Sequence, residues 1–179
     1  GLILEVGEWV IARACRQARL WQEQGLPPLR IAVNLSPRQF QQRDLAQRIR
    51  TIIDQPDFLP EYLELEITES MVMQHVDRAI ATLEELRQIG IRIAIDDFGT
   101  GYSSLAVLKR FPIDCLKVDR SFVRDIPEDA DDMAITRAVI LLAHSLGLSV
   151  VAEGVETEAQ REFLVDCGCD EMQGFLFSK

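Results

Sequence analysis

The sequence predicts an α/β fold with parallel strands buried on both faces. Three observations predict it. Apolar residues alternate along the chain between helical spacing and short β-branched runs. The runs Ile31-Ala32-Val33, Ile91 to Ile95, Cys115 to Val118 and Ser149 to Ala152 are near-continuously apolar, as strands covered by helices on both sides must be. A polar residue then closes almost every run, at intervals of one strand-helix unit.

The elements follow in order. Residues 6 to 24 read as a helix with Val6, Val10, Ala14, Ala18 and Trp21 as its stripe, stopped by Gly25 and Pro27-Pro28. The strand Ile31–Val33 ends at Asn34, and residues 37 to 53 read as one polar helix. Tyr62 to Ile67 is the second strand. A helix from Val76 turns Val76, Ile80, Leu83 and Leu86 inward and closes at Gly90. Ile91 to Ile95 is a strand ending in Asp96-Asp97. Ser103 to Arg110 reads as helix and Cys115 to Val118 as strand. Residues 131 to 146 form the clearest helix, with Ile135, Val139, Leu142 and Leu146 on one face and Gly147 beyond it. Ser149 to Ala152 is a strand ending at Glu153. Glu158 to Val165 is helical, and Asp170 to Phe175 begins another strand. Six strands fit either an open doubly wound sheet or part of a closed barrel, and periodicity does not choose between them.

Composition narrows the function. The chain has 179 residues, 47% of them hydrophobic, enough for a real core in one domain. Its longest uncharged run, Ala138 to Ala152, is too short and too mixed for a membrane span. No basic n-region with an apolar segment opens the chain, so no secretory signal is expected. A net charge of -10 argues against a duplex nucleic-acid surface, although it leaves room for an anionic ligand held through metal ions. The four cysteines, Cys15, Cys115, Cys167 and Cys169, lack zinc or redox spacing and read as small hydrophobes in a reducing compartment. With only His75 and His144, chemistry must come from carboxylates, amides and lysine.

Those groups stand at the strand ends. Asn34, Glu66, Asp96 with Asp97, Lys117, Glu153 and Gln173 recur at intervals of 20 to 36 residues. In a parallel sheet or barrel, such residues converge on the face where ligands bind. Crowded carboxylates repel unless cations compensate. An oxygen-only set with an amide suits Mg²⁺ or Mn²⁺, and adjacent carboxylates can bridge two ions. Lys117 would orient a water or balance developing charge; the plainer alternative is a structural ion pair. Glu153 has the alternative of a helix-cap carboxylate. The glycine-rich run Gly99-Thr100-Gly101-Tyr102-Ser103-Ser104 is neither a P-loop nor a dinucleotide fingerprint. Glu69, three residues past Glu66, would accept hydrogen bonds from such a loop; the plainer alternative is a surface-exposed carboxylate.

Six motifs then carry a resemblance. They are Val33-Asn34-Leu35-Ser36-Pro37-Arg38-Gln39-Phe40, Leu65-Glu66-Ile67-Thr68-Glu69-Ser70, Ile95-Asp96-Asp97-Phe98-Gly99-Thr100-Gly101-Tyr102-Ser103-Ser104, Leu116-Lys117-Val118-Asp119, Val151-Ala152-Glu153-Gly154-Val155-Glu156 and Met172-Gln173-Gly174-Phe175. In order and spacing, this set resembles the EAL domain family over essentially the whole chain. The resemblance implies a modified TIM barrel (β/α)₈ with one antiparallel strand. It implies hydrolysis of cyclic di-GMP to linear 5′-pGpG in bacterial signalling, with two Mg²⁺ or Mn²⁺ ions. It also implies a homodimer, cytoplasmic exposure and, in the parent protein, a sensor or diguanylate cyclase-like neighbour.

By motif match, Asn34, Glu66 and Asp96 resemble ligands of the first metal. Asp96, Asp97 and Glu153 resemble the set around the second. Lys117, Glu153 and Asp97 resemble the catalytic group, with the lysine on the nucleophilic water. Arg38, Gln173 and Asp119 match substrate positions. Glu69, Gly99, Thr100, Gly101 and Glu156 match the supporting loop and nearby acidic positions. The namesake Glu-Ala-Leu strand lies well upstream of the matched asparagine in the family, whereas 33 residues precede Asn34 here. The expectation is therefore a partial domain over residues 1–179, lacking the first strand and the C-terminal end. A catalytically inactive cyclic di-GMP receptor or regulatory domain is the alternative.

Overall fold

A computed structural model describes residues 1–54, 58–101 and 104–178. Tyr102 and Ser103, part of the glycine-rich run, lie outside the described residues. The chain divides into two compact units. The first comprises Gly1–Ile67, Met71–Ala94 and Arg110–Pro112; the second comprises Thr68–Ser70, Ile95–Lys109 and Ile113–Lys179.

The first unit opens with α1 (Leu2–Glu23), which ends as expected where Gly25 takes φ +88. Its buried face is Ile11, Cys15 and Ala18, while Val6 and Val10 are largely exposed. Of the expected stripe, Ala18 is buried, and the face is otherwise shifted to Ile11 and Cys15. The spacing of four and three is equally helical, and the chosen face is the one that meets β1 (Ile31–Asn34), α2 (Pro37–Phe40) and α3 (Leu45–Ile53). The single polar helix expected over 37 to 53 is these two helices. Phe40 and Leu45 are both buried, and five residues apart on one continuous helix they would point about 140° from each other. A break lets both face the core.

β2 (Leu63–Thr68) is buried from Leu63 to Ile67 on both faces. It pairs in parallel with β1, with Asn34 opposite Glu66. Tyr62, expected in this strand, instead closes a 3₁₀ turn over Pro60–Tyr62. The short helix α4 (Glu69–Met73), unforeseen in the sequence, follows. In α5 (Val76–Gln88) the buried residues are Ala79, Leu83 and Leu86, ahead of Gly90 at φ +87. Full burial of Leu83 and Leu86 contributes about 1.5–3 kcal/mol apiece. β3 (Arg92–Phe98) begins in this unit and ends in the second. Strand order is β1-β2-β3 in the first unit and β3-β4-β5-β6 in the second.

In the second unit, α6 (Leu105–Leu108), β4 (Cys115–Val118), α7 (Ala130–Ser145), β5 (Ser149–Glu153), α8 (Glu158–Asp166) and β6 (Glu171–Gln173) follow in turn. β4 pairs with β5 and β5 with β6, all parallel. On α7 the buried residues are Thr136, Val139, Ile140 and Ala143, a face rotated from the expected one. The Thr136 hydroxyl donates to the Phe122 carbonyl at 3.0 Å, which draws that face inward. Ile135 and Leu142 instead line a cavity of about 390 Å³ with Phe98 and Leu105. No helix among the described residues is long and apolar enough to cross a membrane. All four cysteines are free, and burial pushes the Cys15 and Cys169 thiols up to about 11, as inert small hydrophobes require.

Candidate active site

In the first unit, register delivers two of the expected residues to one place. Asn34 ends β1 and stands directly opposite Glu66, two residues before the end of β2, and the Asn34 side-chain amide donates to Glu66 Oε2 at 2.9 Å. Using the nitrogen for this bond leaves the amide oxygen, the atom a divalent ion takes, outside it. Glu66 is buried, with 6% of its surface exposed. Arg38 follows within α2, whose start is fixed by a capping box. Ser36 Oγ accepts from the Gln39 backbone N–H, and Gln39 Oε1 accepts from the Ser36 backbone N–H.

In the second unit, β3 and β4 end in a charge cluster. Lys117 is buried on β4, and its ammonium lies 2.6 Å from Glu153 Oε1 and 3.4 Å from Asp96 Oδ1. One cation therefore links the ends of three strands. The structural ion pair weighed from sequence is real, but its partners are the other expected site residues. Asp97 has φ 55, a left-handed conformation uncommon for a residue with a side chain. Burial, then the charges of Asp96, Asp119 and Glu153, raise the Asp97 carboxyl above the ordinary carboxylate value. Asp119 is also pushed up by burial, yet ends below its ordinary value because Ser121 and Asp97 hydrogen-bond to it. Its carboxylate accepts the Ser121 N–H at 2.9 Å and so caps the 3₁₀ turn Arg120–Phe122.

The glycine run is anchored as expected. The Gly99 N–H donates to Glu69 Oε2 at 2.9 Å, and Glu69 is 2% exposed. A side chain at Gly101 would meet the same carboxylate, and one at Gly99 would come within 2.9 Å of the Phe122 ring. The Thr100 hydroxyl donates to the Asp97 carbonyl at 2.8 Å. Glu153 is opposite Gln173 in the β5–β6 register. Glu156 is exposed at its side chain, while its N–H donates to Gln160 Oε1 at 2.7 Å.

The sequence reading missed Gln160, Phe122 and Glu64. Gln160 is buried, accepts from Glu156 and Thr157, and donates to the Arg124 carbonyl at 2.9 Å. The Thr157-x-x-Gln160 capping box was the signal for it. Phe122 serves as a floor for Gly99, a contact that nothing in linear spacing announces. Glu64 is buried on β2 with Arg92 at 3.4 Å and Arg30 at 3.8 Å. It looked like an ordinary strand residue because its partners are distant in sequence.

These side chains suit a divalent centre in chemistry. The donor set is oxygen-only, and the crowding that raises Asp97 is the kind a cation relieves. Among the described residues, however, no three His, Cys, Asp or Glu side chains form a ready cage. Lys117 supplies the positive charge between Asp96 and Glu153. The oxygen-only donor chemistry of Asp96, Asp97 and Glu153 fits a divalent ion.

The EAL domain family model matches residues 1–179. The chain belongs to the EAL domain family. This EAL domain is 49% identical, over all its 179 residues, to MucR of Pseudomonas aeruginosa, described as a bifunctional diguanylate cyclase/cyclic di-GMP phosphodiesterase, and covers 26% of it. It matches the MucR phosphodiesterase structure in complex with c-di-GMP at TM-score 0.95 and 49% identity, covering 100% of this chain and 72% of that one. Against the EAL domain of Mycobacterium smegmatis DcpA, the TM-score is 0.94 at 42% identity, covering 100% and 80%. The chain spans about a quarter of the length of the curated relatives it matches. EAL domains are TIM-barrel-like, so the fold is of the barrel class and not the open sheet.

Proposed function

We propose that the domain formed by residues 1–179 in its parent protein hydrolyses cyclic di-GMP to linear 5′-pGpG for bacterial second-messenger signalling. The observation that carries this is the Lys117 ammonium set between Asp96 and Glu153 at the ends of β3, β4 and β5. The phosphodiesterase activity in the name of MucR supports it. In this reading Asn34, Glu66, Asp96, Asp97 and Glu153 hold divalent ions, two Mg²⁺ or Mn²⁺. Bound ions would supply Lewis-acid charge for a phosphoryl oxygen and lower the pKa of a water.

This chain's own residues do the rest. Lys117, fixed by two carboxylates, positions the attacking water and offsets charge developing on the phosphate. Its burial strengthens that effect, because little solvent screens it. Glu153 and Asp97 complete the acid-base surroundings. Arg38, Gln173 and Asp119 hold the dinucleotide. Glu69, Gly99, Thr100, Gly101 and Glu156 keep the surrounding loops in place. In the parent protein this EAL domain would face the cytoplasm, act as a homodimer and follow a sensor or cyclase-like domain.

The second reading is a cyclic di-GMP receptor without hydrolysis. This reading needs no ion, and among the described residues no three His, Cys, Asp or Glu side chains are grouped as a ready cage. One experiment separates the two. The parent domain is incubated with cyclic di-GMP in EDTA and then with Mn²⁺, and the products are resolved by chromatography. Binding in EDTA with pGpG formed only after Mn²⁺ supports the hydrolase. Binding in both conditions, with no pGpG from folded protein, supports the receptor.

A further inference from the structure

Asp97 is the one non-glycine residue at positive φ among the described residues. Four hydrogen bonds surround this turn. The Asp97 N–H donates to Asp96 Oδ1 at 3.0 Å. The Gly99 N–H donates to Glu69. The Asp97 carbonyl accepts from the Thr100 hydroxyl at 2.8 Å and from the Thr100 N–H at 3.3 Å. Gly99, at φ +99, rests on the Phe122 ring, so the turn has no slack on that side.

We infer that Thr100 is a positioning residue: its hydroxyl locks the Asp97 carbonyl, holds Asp97 in the left-handed conformation and thereby directs the Asp97 carboxylate. The inference rests on the metal-binding role given to Asp97 above. Left-handed backbone is sparsely populated by residues with a Cβ, so Asp97 needs fixed partners to stay there. Relaxing φ to the usual negative range would turn the side chain relative to β3 by roughly a third of a turn. The hydroxyl bond is the shorter of the two on that carbonyl. Without it, one longer amide bond remains.

The test compares Thr100→Val, which keeps the shape and removes the hydroxyl, with Thr100→Ser, which restores it. Thr100 is exposed, so neither change disturbs the core. Two quantities are read on this chain without nucleotide: the NMR backbone couplings that report φ at Asp97, and Mn²⁺ affinity by calorimetry. The inference predicts that Thr100→Val shifts the couplings toward negative φ and weakens Mn²⁺ about tenfold. Thr100→Ser should keep both within about twofold. Unchanged couplings, unchanged affinity in Thr100→Val, a Ser variant that fails like Val, or a parent chain that binds no Mn²⁺ would each overturn it. A chain that binds Mn²⁺ yet makes no pGpG would instead overturn the hydrolase reading and leave this one standing.

Discussion

Lys117 faces two carboxylates, Asp96 and Glu153, almost without solvent. Removing one partner of a buried charge pair leaves the others uncompensated, which costs about 3 kcal/mol. Lys117→Met should therefore lower stability by about that amount in EDTA, read by denaturant unfolding. Added Mn²⁺ should recover more stability in the variant than in the parent, because a divalent ion replaces the missing charge. Its hydrolysis should fall by at least about a hundredfold. Asp97→Asn gives the opposite stability sign. Asn tolerates the left-handed backbone and ends the repulsion from Asp96, Asp119 and Glu153. Metal-free stability should rise while Mn²⁺ affinity drops, a trade expected where function holds residues in strain. A variant less stable than the parent in EDTA would contradict this.

Among the elements, β5 is tied to its neighbours by Asp170. That carboxylate accepts the Val150 N–H at 2.8 Å and pairs with His144 Nε2 at 2.9 Å. Burial pushes its pKa up, but the bonds from His144 and Val150 outweigh this and hold it below the ordinary value. A depressed folded pKa contributes stability that is complete above the unfolded value of about 3.9 and is lost as pH falls through the folded value. Stability measured from pH 6 down to the acid limit should therefore decline more steeply in the parent than in Asp170→Asn. Equal slopes would refute it.

The elements also show what the sequence could reveal. Strand ends at Asn34 and Glu153 were legible because a buried parallel strand stops where polarity begins, whereas β2 runs past Glu66 to Thr68 and β3 past Asp97 to Phe98. Gly90 and Gly147 marked helix ends because positive φ favours glycine there. The helix faces were less legible. On α1 and α7, apolar residues occur at more than one helical spacing, and only contact with β1 or the Phe122 carbonyl chooses a face. The break between Phe40 and Leu45 was hidden because polar residues fill it in a pattern that helices also accept. Phe122 and Glu64 act through partners about 20 to 35 residues away, beyond any local pattern.

At the scale of the whole molecule, the acidic balance takes on a location. Part of the -10 lies in Glu66, Asp96, Asp97 and Glu153, each within the last three residues of a strand. Asn34 and Glu66 belong to the first unit, and Asp96, Asp97 and Glu153 to the second. In the proposed function Asp96 takes part in both ligand groups. Asp96 is therefore the residue whose loss should matter most. The measurement that tests the account most directly compares the parent domain with Asp96→Asn, reading Mn²⁺ affinity by calorimetry and pGpG formation by chromatography on the same samples. The account predicts that affinity and rate fall together, with the fold retained. An Asp96→Asn domain that binds Mn²⁺ and makes pGpG like the parent would contradict it.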